Sequence, residues 1–177
     1  MANRTAIRQT NRKTFTLLFG LALVLPFSGC YSSDQEVIPS NAAEATPYKS
    51  DVVSLGEDGD MHLHRSPGSQ GYTFTQTKKG DSSVKTGTLR AFAVKKGIYA
   101  VQIKYDDENS YDIAFCRLTS TKFVVMDPKP DAAVEKLADR YHVTTKLLNN
   151  LSGNPADMLS FLRALKDVQF EKFKESH

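Results

Sequence analysis

Tryptophan is absent from this chain of 177 residues, cysteine occurs only twice, and neither an internal repeat nor a low-complexity block interrupts it. Two cysteines cannot build the framework of a small disulfide-stapled fold. An excess of one charge is also lacking. There are 23 Lys and Arg against 20 Asp and Glu, but Arg4, Arg8, Arg12 and Lys13 precede residue 30 and no acidic residue does. From residue 30 onward the chain carries 19 basic and 20 acidic residues, a net charge of −1. The net basic excess that marks a nucleic-acid binder is therefore missing. Long apolar runs are scarce too. The one strong run, residues 14–27, is shorter than the roughly 20 residues a membrane-spanning helix needs. No G-x-S-x-G motif and no Gly-rich phosphate loop occurs, so nucleophilic hydrolysis and nucleotide binding have no recognisable footing.

What is present begins with an address. MANRTAIRQTNRK is basic, TFTLLFGLALVLPF is uncharged, and small residues come next; these are the three parts of an export signal. Phe27-Ser28-Gly29-Cys30 resembles the lipobox of bacterial lipoproteins. Ser28, Gly29 and Cys30 match that pattern, and Phe27 stands where leucine is usual. The resemblance implies a signal peptide over residues 1–29. It also implies S-diacylglycerol and N-acyl (palmitate-type) groups on Cys30. The address it implies is the cell membrane or outer membrane, facing the periplasm. In a didermal host the outer membrane is favoured, because Tyr31 is not the aspartate associated with inner-membrane retention. Two or three acyl chains, at ~0.8 kcal/mol per buried CH₂, anchor a protein essentially permanently. Ordinary cleavage near Gly29, giving a soluble secreted protein, is the alternative.

The 148 residues from Cys30 onward suit one domain. Residues 30–47, rich in Ser, Ala, Pro, Asn and Glu, read as a lipidated terminus and flexible tether. Residues 48–177 read as a single α+β domain. MHLHR, GYTFTQT, GTLRAFAV, IYAVQIKY, YDIAFCRL and KFVVM are strand-like, and turn-forming residues separate them. No helical pattern intervenes, so an antiparallel meander of about five to six strands is expected, followed by two or three C-terminal helices packed on it. In IYAVQIKY, Tyr99, Val101, Ile103 and Tyr105 share one face; Ala100, Gln102 and Lys104 share the other. YDIAFCRL is apolar on both faces, which predicts a central strand covered on each side. Val134, Leu137, Ala138 and Tyr141 have helical spacing within 131–142. Asn154 and Pro155 read as N-cap and first position of a helix that aligns Met158, Phe161, Leu162, Leu165 and Val168.

The candidate sites are few. His62 and His64 lie two apart on a strand, so they share a face, with Asp58 and Asp60 nearby. Zinc needs three or four ligands, and only His142 and His177 remain, so a solvated strand face is the expectation and no metal is assigned. YDDENSYD, residues 105–112, is oxygen-rich but lacks the spacing and glycine of a calcium loop, and reads as a hairpin tip. Cys116 reads as a buried free thiol. VEKLADRYHVTTKLLNNLSG, residues 134–153, resembles a helix-turn-helix, with Ala138, Val143 and Leu148 at the positions that pack, and residues 123–153 are similar to part of a LysM module, a peptidoglycan-binding βααβ unit. The Gly-Asp-Thr turn of that family is missing here. Core packing of a helical hairpin explains the same spacing.

No catalytic constellation is visible, no cofactor is implied, and the expectation is a non-enzyme. It is a lipid-anchored envelope accessory or binding protein with an envelope protein as partner and no nucleic acid. Peptidoglycan binding through the LysM-like segment is the alternative.

Overall fold

Short β-branched and aromatic segments parted by turn residues build a sheet, and two helices close one of its faces. The computed structural model describes residues 31–55, 59–65, 68–128, 132–146 and 150–172. The strands are β1 (Tyr31–Ser33), β2 (Val52–Ser54), β3 (Asp60–His64), β4 (Tyr72–Thr77), β5 (Val84–Lys95), β6 (Ile98–Tyr105), β7 (Tyr111–Leu118) and β8 (Phe123–Pro128). Beyond β8 come helix α1 (Ala132–Arg140), strands β9 (Thr144–Lys146) and β10 (Asn150–Ser152), helix α2 (Pro155–Ala164) and strand β11 (Phe170–Lys172).

The sheet runs in the order β2-β3-β4-β5-β6-β7-β1-β10-β9, with β8 bridging β7 and β11. Pairing is antiparallel from β2 to β8. The exception is β1, which lies antiparallel to β7 but parallel to β10. The free edge of β7 is thus divided. Residues 111–113 pair with β1, and residues 115–118 pair with β8.

Each face of the sheet has its own core. On one, Val37, Ile38, Phe92, Ala100, Ile113 and Phe115 pack with Met158, Phe161, Leu162 and Leu165 from the α2 region. On the other, Val53, Met61, Leu63 and Phe74 gather with Val101, Ala114, Cys116 and Leu118. The sheet curls to make this second core. Lys49 N donates to Ser120 O at 3.1 Å, and the Tyr48 and Phe123 rings meet edge to face at 6.1 Å, so the chain entering β2 reaches the β7–β8 hairpin. At Gly87 in β5 the packing leaves no room for a side chain. A Cβ there would lie 2.2 Å from Lys104 O and 2.7 Å from Phe74 Cζ.

The expected fold class is overturned. The described residues form eleven strands in one mixed sheet with two short α-helices, a mostly β fold, where an antiparallel meander of five or six strands and two or three helices was expected. Six strands and both helices stand where the pattern put them. The three-residue strands β1, β2, β9, β10 and β11 are additional. They are too short to show alternation, and the sheet's pairing, not their own composition, holds them extended. The expected tether is also corrected. Residues 31–33 are a sheet strand, and Val37 and Ile38 have 0% exposure. The helical hairpin over 134–153 is replaced by helix α1 and a β9–β10 hairpin, so the βααβ order of a LysM unit is not formed. Leu148 lies outside the described residues.

Candidate functional site

Gln102 on β6 and Arg90 on β5 are direct cross-strand neighbours on the helix-covered face. Gln102 is buried, and its side-chain carbonyl accepts from Val37 N and Ile38 N, both at 2.8 Å, while its amide donates to Ile38 O at 3.3 Å. Arg90 donates to Ile38 O at 3.2 Å and forms an ion pair with Glu36. Glu44 N donates to Ala91 O at 2.7 Å. Residues 34–44 are therefore a strap fastened across β5 and β6. Its apolar pair, Val37-Ile38, is driven under it, and a buried amide satisfies its backbone. Pro39 sets the turn that opens a single 3₁₀ turn, Ser40–Ala42.

Helix α2 runs beside this strap. Asn154 caps it by accepting from Ala156 N at 2.9 Å, and Pro155 occupies the first turn. Met158, Phe161 and Leu162 point into the core. Ala156, Leu159 and Arg163 face the strap, and between the two elements lies a cleft of about 770 Å³, with Val37, Pro39 and Ala42 on the strap side. Such a volume falls in the range of roughly 300–1,000 Å³ typical of ligand sites. The Arg163 guanidinium sits 6.0 Å from the Phe92 ring centroid and has no ion-pair partner among the described residues. Glu36, by contrast, is neutralised by Arg90. The cleft thus combines apolar side chains with Gln35, Asn41 and the Glu36 carboxylate on the strap side and Arg163 on the helix side.

A second feature lies where β1 and β8 part. Asp127 has a buried Oδ1 with no hydrogen-bond partner, and burial, then Glu171, pushes its carboxyl above the ordinary range. Burial, then Asp127, likewise raises the Tyr31 phenol. The Tyr31 ring meets Phe115 edge to face at 6.2 Å.

The residues singled out in the sequence are scattered. Cys30, Asp58 and His177 lie outside the described residues. His62 and His64 are exposed on the outer face of β3, Asp60 is exposed at its start, and His142 comes after α1 with a φ of 53°. Among the described residues no group of three His, Cys, Asp or Glu side chains is placed to hold a metal ion. Residues 106–110 form the β6–β7 hairpin tip, where Asp106 accepts from Thr86 Oγ1 at 2.6 Å and Glu108 pairs with Lys85 at 3.0 Å. Cys116 is a fully buried free thiol whose ionisation burial pushes far up. The strap and its cleft leave little trace in the sequence because they depend on a long-range pairing, Gln102 with residues 37–38. The only local signal is an isolated Val-Ile pair in a polar stretch. No family model, no curated protein and no solved structure matches the chain.

Proposed function

We propose that this chain is a lipid-anchored cell-envelope protein, held through acyl groups on Cys30, that acts as a non-catalytic accessory or binding protein at the membrane periphery. The observation that carries this reading is the basic start, the uncharged run and Phe27-Ser28-Gly29-Cys30 in that order. No helix of the described residues is long and apolar enough to cross a membrane. With β1 in the sheet, only the anchor residue separates acyl chains from folded protein, and the body is held against the bilayer surface. An envelope protein is the proposed partner, and the outer membrane the favoured site in a didermal host.

Fractionation tests this. The normal chain should sediment with membranes and resist high salt, whereas Cys30→Ser should accumulate as uncut precursor or move to the soluble periplasmic fraction. A Cys30→Ser chain that loses its leader and still fractionates with membranes refutes the reading.

A further inference from the structure

We propose that the end of the sheet formed by the β5–β6 and β7–β8 turns lies on a membrane surface and binds its anionic phospholipid headgroups. The inference deepens the proposed function and rests on it for the choice of a membrane as the occupant.

Three observations select this end. The first is charge. Lys95 and Lys96 close β5, Arg117 and Lys122 flank the β7–β8 turn, and Lys166 follows α2. Register joins them, since Lys95, Ile98 and Arg117 stand side by side on β5, β6 and β7, about 5 Å from strand to strand. Leu118 N donates to Gly97 O at 3.0 Å, which brings the two turns together, and Lys95 Nζ donates to Val168 O, which brings in the segment of Lys166. Lys49, whose N–H reaches Ser120 O, is a sixth cation here. None of the six forms an ion pair among the described residues, and Asp51 and Asp167 are the acidic side chains set among them. From residue 30 onward the net charge is −1, so this gathering is a segregation of charge and not a surplus. The second is contrast. At the opposite end, about 35–40 Å away along β5, Lys78 and Lys79 are mixed with Asp81, Asp106, Asp107 and Glu108, and Glu108 is paired with Lys85. The third is direction. Strand β1 runs antiparallel to β7, so its start at Tyr31 points toward the β7 end that carries Arg117. Ring contacts bridge the interval. Tyr31 meets Phe115 at 6.2 Å, Phe115 meets Phe170 at 5.2 Å, and Lys95 Nζ lies 4.7 Å from the Phe170 centroid. An anchor one residue before Tyr31 would hold this end, not the mixed one, near the bilayer. Asp127 and Glu171 face each other farther back, level with Ala114. An anionic lipid surface attracts each Lys or Arg held near it, and supplies the counter-charge these six lack.

The test uses the full chain as cells produce it, purified from whichever fraction holds it and added to preformed phosphatidylcholine vesicles with or without phosphatidylglycerol. An amine-reactive reagent that does not cross membranes reads lysine exposure by mass spectrometry. At low salt, phosphatidylglycerol should slow labelling of Lys96, Lys122 and Lys166 and leave Lys79 and Lys136 unchanged. The effect should vanish at about 0.5 M salt, where the screening length falls to about 4 Å. Lys96→Gln with Arg117→Gln, both exposed, should weaken the docking equilibrium about thirtyfold, about 1 kcal/mol per charge removed, with the melt unchanged. Lost protection at Lys122 and Lys166 reports it. Lys78→Gln with Lys79→Gln removes the same charge from the opposite end and should leave the protection as it was. Equal labelling with and without phosphatidylglycerol overturns the proposal, as does protection shared by Lys79 and Lys136. Equal loss on either pair of substitutions overturns it too, because net charge alone would then explain binding. The anchor is judged separately. An unacylated chain that gives the same footprint on added vesicles refutes the anchor and supports the surface.

Discussion

Gln102 shows how much one buried amide can decide. It sits in an apolar core and would be costly there without partners, yet both ends of its side chain are engaged by the strap backbone. Replacing it by Leu leaves Val37 N and Ile38 N buried without acceptors. The expected loss is about 1–5 kcal/mol, from two unsatisfied donors at roughly 1–3 each less an apolar gain of about 1. Urea titration measures this, and faster proteolysis within residues 34–44 should accompany it. Asp127 is the opposite case, a carboxylate left poorly served. Its folded-state proton affinity is raised, so the folded protein binds this proton more tightly than the unfolded chain does. Stability from this group is therefore greatest in acid and falls as pH rises from the ordinary carboxylate value of 3.8 through the raised one. Asp127→Asn should raise the melting temperature at neutral pH, and the gain should vanish below about pH 3, where the parent carboxyl is protonated in both states. An unchanged difference across that range would show that the shift is not felt in stability.

Among the elements, those with their own pattern were legible. The apolar residues on both faces of 111–118 placed β7 in the interior of the sheet, and the Asn154-Pro155 start located α2. The covering of the second face was not legible, because the sheet supplies it by curling β2–β4 over β6 and β7, a long-range event with no local mark. The hairpin after α1 was hidden for a related reason. Val143, which looked like the core position of a second helix, is buried by the way α1 ends. Val143 N donates to Ala138 O at 2.9 Å while His142 takes a φ of 53°. That is the Schellman stop, in which glycine is the usual occupant and the chain cannot continue as helix. A side chain in the left-handed region is strained, so His142→Gly should stabilise the fold by about 0.5–1 kcal/mol. A thermal melt would register it, and His142 is exposed, so no packing is lost.

At the scale of the whole molecule, the N-terminal segment is the joint of the sheet. Strand β1 is the hydrogen-bonded link between β7 and β10, and through β10 it holds β9. Taking it away leaves the β9–β10 hairpin without its strand partner. The loss of Val37 and Ile38 also opens the helix-covered core, at about 1.5–3 kcal/mol for each side chain returned to water. The strap's bonds to Gln102 and Arg90 are lost as well. Against a typical stability of roughly 5–15 kcal/mol, these losses are enough to undo folding. Composition drew the domain boundary at Tyr48, since Ser, Asn, Ala and Pro dominate before it, but residues 31–44 are already part of the packed sheet and its core. Two fragments separate the alternatives. A chain beginning at Tyr31 should melt cooperatively and show dispersed amide resonances. A chain beginning at Tyr48 should give neither, and should expose apolar surface to a hydrophobic dye. Cooperative melting of the shorter fragment with the stability of the longer would mean that the strap is an ornament on a sheet that closes without it.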